Sequence, residues 1–210
     1  MSNKTHGMMI IISSPSGAGK TTLVKILSKR LNLHTSVSHT TREPRLDEEN
    51  KKDYFFINKI EFENLIKQNY FIEYAEVFEN FYGTSKDQVI SNLKKGKDVI
   101  FDIDWQGAEQ IRKQNIDKKL ISFFILPPSR KELIDRLSNR EKGNKHVVEK
   151  RMKNFSKDVL HWNEYDYVIV NDQLEKCFEK IKNKIDLYRQ GNYIKENKDL
   201  VKDHVEKLIN

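Results

Sequence analysis

Short apolar runs alternate with amphipathic stretches along most of this chain. Met8–Ile12 and Val99–Phe101 are unbroken apolar runs, Leu120–Leu126 is interrupted only by Ser122, and Tyr167–Val170 forms a fourth run. Runs of this length without alternation suit strands buried on both faces. Between them apolar residues recur at helical spacing: Leu23, Ile26, Leu27 and Leu31; Leu133 and Leu137; Val148, Met152, Phe155 and Val159; Phe178, Ile181, Ile185 and Tyr188. Ser129, just after Pro127-Pro128, is placed to cap the second of these helices. Val201, Val205 and Leu208 predict a terminal helix. Strands separated by helices predict an α/β fold, a parallel sheet with helices on both faces.

Residues 36 to about 95 break this alternation. Turn residues and charges lead to Tyr54-Phe55-Phe56. Ile60, Phe62, Leu65 and Ile66 predict a short helix, and Tyr70–Phe78 a strand. Val89 and Leu93 predict a helix starting near Thr84 and ending at Gly96. The stretch reads as a mixed α/β insertion suited to binding a substrate.

The chain has 210 residues, 37% hydrophobic and 33% charged. It is long enough for a sizeable core without metal or disulfide support. Its single cysteine, Cys177, excludes an intramolecular disulfide and reads as a small buried apolar residue. No stretch approaches the roughly 18 apolar residues of a membrane span. Met1–Gly7 is too short and polar for a signal peptide, so a cytoplasmic location is expected, with no membrane partner. The net charge of +7 favours anionic partners, although Lys interleaves with acidic residues on solvated stretches such as 115–119 and 195–203.

Ser14-Pro15-Ser16-Gly17-Ala18-Gly19-Lys20-Thr21 follows the first strand and opens the first helix. It approximates the phosphate-loop pattern G-x-x-x-x-G-K-[ST]. Such a loop turns backbone N–H groups toward one point, and the helix N-terminus adds its positive end. Lys20 can bridge β- and γ-phosphates, and Thr21 offers a hydroxyl to Mg²⁺. Ser14 replaces the first glycine, so the loop must hold it at ordinary φ or accept strain. Further along, Arg42 and Arg45 flank a proline and suit a loop that clamps a phosphate, since guanidinium forks match its oxygens. Asp102 and Asp104 follow a buried strand. There an acid can serve Mg²⁺ through water, and one of them, Asp104 in particular, can instead cap the next helix.

With Ser38–Tyr54, Phe71–Ala75, Tyr82-Gly83-Thr84, Asp102–Gly107 and Val168–Asp172, these segments resemble the guanylate kinase family from about residue 8 to about 190. The Ser-x-Thr-Thr-Arg-x-Pro-Arg block at 38–45 is the most specific. The resemblance implies a P-loop nucleoside monophosphate kinase fold, with core segments 8–35, 97–128 and 163–190. It further implies a GMP-binding region at 36–96 and a short lid region at 129–162, leaving 191–210 as a helical extension. The implied activity is Mg²⁺-dependent, reversible transfer of the ATP γ-phosphate to GMP, and dGMP as well.

Carried over by position, Ser14, Pro15, Ser16, Gly17, Ala18, Gly19, Lys20, Thr21, Thr22, Arg136, Arg140 and Asn171 would hold ATP. Ser38, Arg42, Arg45, Tyr54 and Tyr82 would hold the GMP phosphate, with Glu73 and Thr84 reading guanine. Asp102, Asp104 and Arg151 are further candidates on the GMP side. Lys20, Arg45, Arg136, Arg140 and Arg151 would stabilise the transferring phosphoryl group, and Thr21 and Asp102 would serve the metal. The lid departs from the family in being more basic at Glu141–His146. Monomer and homodimer both remain open. A non-catalytic peptide-binding module, a kinase for another nucleoside monophosphate and a nucleic-acid binder are the competing readings. Against the last, aromatic and basic residues are not interleaved as a stacking platform requires.

Overall fold

The computed structural model describes residues 6–46, 48–114, 119–141, 143–194 and 198–209. The start through Thr5 and parts of the two charged stretches, 115–118 and 195–197, lie outside them. The chain divides into two compact units. One comprises Leu33–Leu120 with the segment ending at Met9; the other comprises Ile10–Asn32 with Ile121–Asn210.

In the first unit, β2 (His34–Thr35) pairs in parallel with β7 (Val99–Asp102), aligning His34 with Val99 and Thr35 with Ile100. A separate four-stranded sheet is built from β3 (Ser38–Thr40), β4 (Phe55–Phe56), β5 (Phe71–Val77) and β6 (Asn80–Ser85), in the order β4-β3-β6-β5. Only β5 is legible as a strand from its residues, because the others are short or polar. Helix α2 (Lys59–Lys67) opens with a capping box between Asn58 and Glu61. Helix α3 (Lys86–Lys94) is capped by Ser85, the last residue of β6, so Thr84 lies within the strand rather than starting the helix as predicted. Gly96, at φ +75°, ends it where expected.

The β5–β6 hairpin turns on Phe78 and Glu79 at φ +52° and +66°. Two left-handed central residues match the twist of the strands, but glycine or asparagine normally supplies them. Each ordinary side chain there costs on the order of 1 kcal/mol. Aromatic packing offsets that strain. Phe62 of α2 stacks on Phe71 and Phe81, at 4.6 and 5.4 Å between centroids. His39 stacks on Phe55 and meets the edges of Tyr70 and Phe71. Helix α4 (Trp105–Lys113), capped by Asp104, packs along β5.

In the second unit, β1 (Met9–Ser13), β8 (Leu120–Leu126) and β9 (Tyr167–Val170) lie in the order β1-β8-β9, with Phe123–Leu126 in parallel register against Tyr167–Val170. These are predicted buried strands, and nearly every residue in them is buried. The one polar interruption is satisfied: Ser122 donates from both N and Oγ to Asp166 Oδ2, at 2.8 and 2.7 Å.

Around these strands stand α1 (Lys20–Arg30), α5 (Arg130–Arg140), α6 (Lys145–Asp158), α7 (Leu174–Arg189) and α8 (Asp199–Ile209). Ser129 caps α5 as predicted. The apolar stripe assigned to α6 overshoots it, since Val159 begins a 3₁₀ turn. Cys177 is fully buried on α7, and burial, followed by the Asp172 charge, pushes its thiol pKa up. Helix α8 buries Val205 and Leu208. His204 Nε2 donates to the Pro127 carbonyl at 2.9 Å, and Arg130 Nη1 donates to the Leu208 and Ile209 carbonyls at 3.1 Å. Among the described residues no helix is long and apolar enough to cross a membrane.

Candidate nucleotide sites in the two units

In the second unit, the chain leaves β1 at Ser13 and enters α1 through the loop 14–19. Gly17 and Gly19 sit at φ +88° and +90°, where a side chain is strained. Ser14 is absent from the left-handed residues, so the loop accommodates it in ordinary backbone, as one of the two expected outcomes required. Gly19 caps α1 with no side-chain hydrogen bond, and the first turn carries no acidic residue. Five other helices are capped by Asn58, Ser85, Asp104, Ser129 and Asn144. A start to α1 without a side-chain cap is what an anion-binding helix terminus needs.

Side chains brace this loop from several elements. Asn171 follows β9, is 6% exposed, and donates from Nδ2 to the Ala18 carbonyl at 2.8 Å. Arg136 of α5 donates to the Asn171 carbonyl at 3.4 Å and to Glu132 at 3.0 Å. Arg151 of α6 donates to Ser16 Oγ at 2.9 Å. Its Nε lies 3.0 Å from Glu141 Oε1, which is also 3.6 Å from Arg140 Nε. Of the residues predicted to hold ATP, Asn171 meets the loop directly and Arg136 through Asn171, while Arg140 meets Glu141 instead. Arg151, expected also among the GMP residues, contacts the phosphate loop. Glu141, which draws Arg140 and Arg151 together, was not singled out from the sequence.

In the first unit, strand register assembles the second group. Ser38 lies opposite Thr84, and Thr84 opposite Glu73, so the three sit side by side across β3, β6 and β5. Ser38 Oγ and Thr84 Oγ1 are 3.2 Å apart. Glu73 is 3% exposed, far more buried than an ionisable side chain usually is. Tyr82 shares the face of β6 with Thr84, and its ring meets that of Tyr54 edge-on at 6.0 Å. Burial above all, and then the Asp102 charge, raises the Tyr54 pKa, so its hydroxyl stays protonated as a donor.

Arg42 and Arg45 are drawn together by a residue the sequence reading missed. Glu48 accepts from Arg42 Nη2 on both oxygens, at 2.9 and 2.8 Å. It also accepts from the Arg45 backbone N at 2.9 Å and from Arg45 Nη1 at 3.4 Å. Burial works against the Arg42 charge, but the Glu48 bond and the neighbouring Tyr82 more than offset it, and its pKa is raised. Asp102 ends β7. Asp104 caps α4, accepting from Gly107 N at 3.1 Å and from Gln106 Nε2 at 3.0 Å. Of its two expected roles, the structure thus supplies the cap.

Comparisons with known proteins identify the family. The family profile described as guanylate kinase matches residues 6–188. A guanylate kinase of Rickettsia felis is 48% identical over 86% of this chain and 94% of its own length. One from Wolbachia pipientis wMel is 46% identical over 86% and 90% respectively. The crystal structure of guanylate kinase from Anaplasma phagocytophilum, 34% identical, superposes with a TM-score of 0.71 over 88% of this chain and 87% of that one. With the phosphate loop, the paired arginines and the buried Glu73 in place, the chain belongs to the guanylate kinase family and has its α/β P-loop fold.

Proposed function

We propose that the second unit holds ATP on the loop 14–22 with Lys20, Arg136 and Arg140, and that Asn171 supports this loop from below. GMP is held in the first unit, its phosphate by Ser38, Arg42, Arg45, Tyr54 and Tyr82 and its base by Glu73 and Thr84. The enzyme is an ATP:GMP phosphotransferase, and the observation that carries the base assignment is Glu73, buried in register beside Thr84. Guanine offers N1–H and N2–H side by side, and one carboxylate accepts both; Thr84 donates to O6. Adenine has no N1–H and would leave Glu73 facing an acceptor, a buried mismatch that discriminates strongly.

The attacking group is an oxygen of the GMP phosphate. Its second pKa is near roughly 6, so it is mostly dianionic at neutral pH and needs no general base. The chemical obstacle is the repulsion of two polyanions. Lys20, Arg45, Arg136, Arg140 and Arg151 are the cations assigned to offset it. Mg²⁺ arrives with ATP as part of the substrate and neutralises charge on its phosphates.

The residues present fit that mode of delivery. Among the described residues no cluster of three His, Cys, Asp or Glu could cage a metal, and Mg²⁺ usually keeps waters and phosphate oxygens with one or two protein ligands. Thr21 is exposed at the start of α1, and we assign its hydroxyl with Asp102 to that role. No residue in the assigned set addresses a ribose 2′-hydroxyl, so dGMP is a second expected acceptor. The test is ADP release with GMP, dGMP, AMP, CMP, UMP and dTMP, for the native enzyme and Glu73→Gln. Turnover confined to GMP and dGMP, with base preference weakened by Glu73→Gln, is expected. A base preference indifferent to that substitution would overturn the guanine assignment.

A further inference from the structure

Strand β5 carries Glu73 and lies at the edge of its sheet. An uncovered edge leaves a row of backbone donors and acceptors on one side. Here three glutamine side chains meet that row. Gln110 accepts from Tyr74 N at 3.1 Å and donates to Tyr74 O at 2.6 Å. Gln114, immediately past α4, donates to Ile72 O, and Gln106 donates to Glu76 O at 3.4 Å.

The spacing explains the match. Glutamines at every fourth helix position advance about 6 Å per step. Every second strand residue advances about 6.6 Å, with its backbone groups on the same side. The two rows run in opposite directions, and the mismatch over two steps is small enough for flexible side chains to absorb. Glutamine suits this use because one amide both donates and accepts. Helix α4 thus completes the edge as a further strand would.

Glu73 lies between the rungs at Ile72 and Tyr74, and Gly107 between those at Gln106 and Gln110. A Cβ on Gly107 would stand 2.3 Å from Glu73 Oε2 and 3.1 Å from its Cδ. The carboxylate is therefore pressed against the α4 backbone, in the gap whose width the glutamines set. We propose that Gln110, flanked by Gln106 and Gln114, is a positioning residue for base selection: it fixes the β5–α4 spacing and through it the direction of the Glu73 carboxylate. The inference rests on the reading of Glu73 as the guanine acceptor. Two parallel N–H···O bonds tolerate little displacement, so a shift of a fraction of an ångström is felt in selectivity.

The decisive variant is Gln110→Met, which keeps the length of the side chain and loses both hydrogen bonds. The measurements are KM for GMP and for ATP, the kcat/KM ratio of GMP to IMP, and thermal unfolding. IMP lacks the exocyclic amine and so reports on one of the two bonds to Glu73. A rise of about tenfold in KM for GMP is expected, with a reduced GMP:IMP ratio and an unchanged KM for ATP. Gly107→Ala keeps all three glutamines, suits a helix and intrudes on Glu73 directly; it should lower the GMP:IMP ratio further.

A Gln110→Met enzyme that only melts earlier, with both KM values and the ratio intact, would reduce the row to edge protection and overturn the proposal. So would an equal rise in both KM values. If Gln110→Met does not fold, Gln106→Met and Gln114→Met, each removing one flanking rung, decide: an unchanged GMP:IMP ratio in both would overturn the proposal. Glu73→Gln separates the two levels. If that substitution leaves base preference unchanged, the guanine reading fails. If it changes base preference while Gln110→Met and Gly107→Ala do not, the positioning role alone fails.

Discussion

Each unit gathers two of its assigned arginines on one glutamate, but in different ways. Glu48 holds Arg42 and Arg45 inside a single loop, with side chains 11% and 17% exposed for the Glu48–Arg42 pair and hydrogen bonds that include the Arg45 backbone. Glu141 draws Arg140 and Arg151 from two helices, at 3.6 and 3.0 Å; its pair with Arg151 is about as buried as that of Glu48 with Arg42, but Arg140 is 40% exposed and Glu141 makes no paired two-oxygen bond like that of Glu48 to Arg42. The first carboxylate orients its arginines as well as neutralising them. The second mainly supplies charge at the mouth of the phosphate loop. A phosphate reaching either place must displace or share a carboxylate, and the cost depends on how tightly that carboxylate is held.

The largest expected effect separates the units outright. Lys20→Ala should abolish turnover, while GMP binding measured by calorimetry persists, because the lysine belongs to the unit with the phosphate loop. Loss of GMP binding in that variant would break the division of labour. Next, the two glutamates should respond with opposite signs. Glu48→Gln should raise KM for GMP and cost about 1–3 kcal/mol in denaturant unfolding. Glu141→Gln should lower KM for ATP and cost less than Glu48→Gln, because it gives up no two-oxygen bond to a guanidinium and no bond to a backbone N–H. Equal effects from the two would erase the distinction drawn here.

The smallest effect concerns acid. His39 is buried among Phe55, Tyr70 and Phe71, and its Nδ1 has no hydrogen-bond partner. Burial holds its pKa below the ordinary 6.5, with a Gly83 backbone bond acting the other way. Between these values the unfolded chain takes up the proton first. The contribution of His39 to stability is intact above pH 6.5 and declines as pH falls through its lowered pKa. His39→Phe keeps the stack and removes the proton site. Its melting temperature should therefore fall less than the native one between pH 7.5 and 5; parallel curves would place the acid sensitivity elsewhere.

The two units also differ in how much of them the residues announce. The phosphate loop is contiguous, and its function lies in backbone that Gly17, Gly19 and a helix start without a side-chain cap supply locally. A spacing rule therefore finds it. Ser38, Glu73 and Thr84 meet only because β3, β6 and β5 pair in one register, and β3 is too short to leave a periodic signal. Glu48 stands in the sequence as one more acidic residue of a polar loop. The glutamines at 106, 110 and 114 are four apart, a spacing that signals a helix face and gives no hint of a strand beside it.

The order of residues alone determined the buried strands, the main helices, the caps at Asp104 and Ser129, and the placing of Lys20, Arg42 and Arg45 as candidate phosphate-binding cations. Each of these depends on neighbours within a few positions, where periodicity and propensity act. Which carboxylate each arginine meets, how deeply Glu73 is buried and what lies against it were decided only by tertiary structure. Those properties depend on distances between segments far apart in the chain, and pairing and packing, rather than local preference, set them.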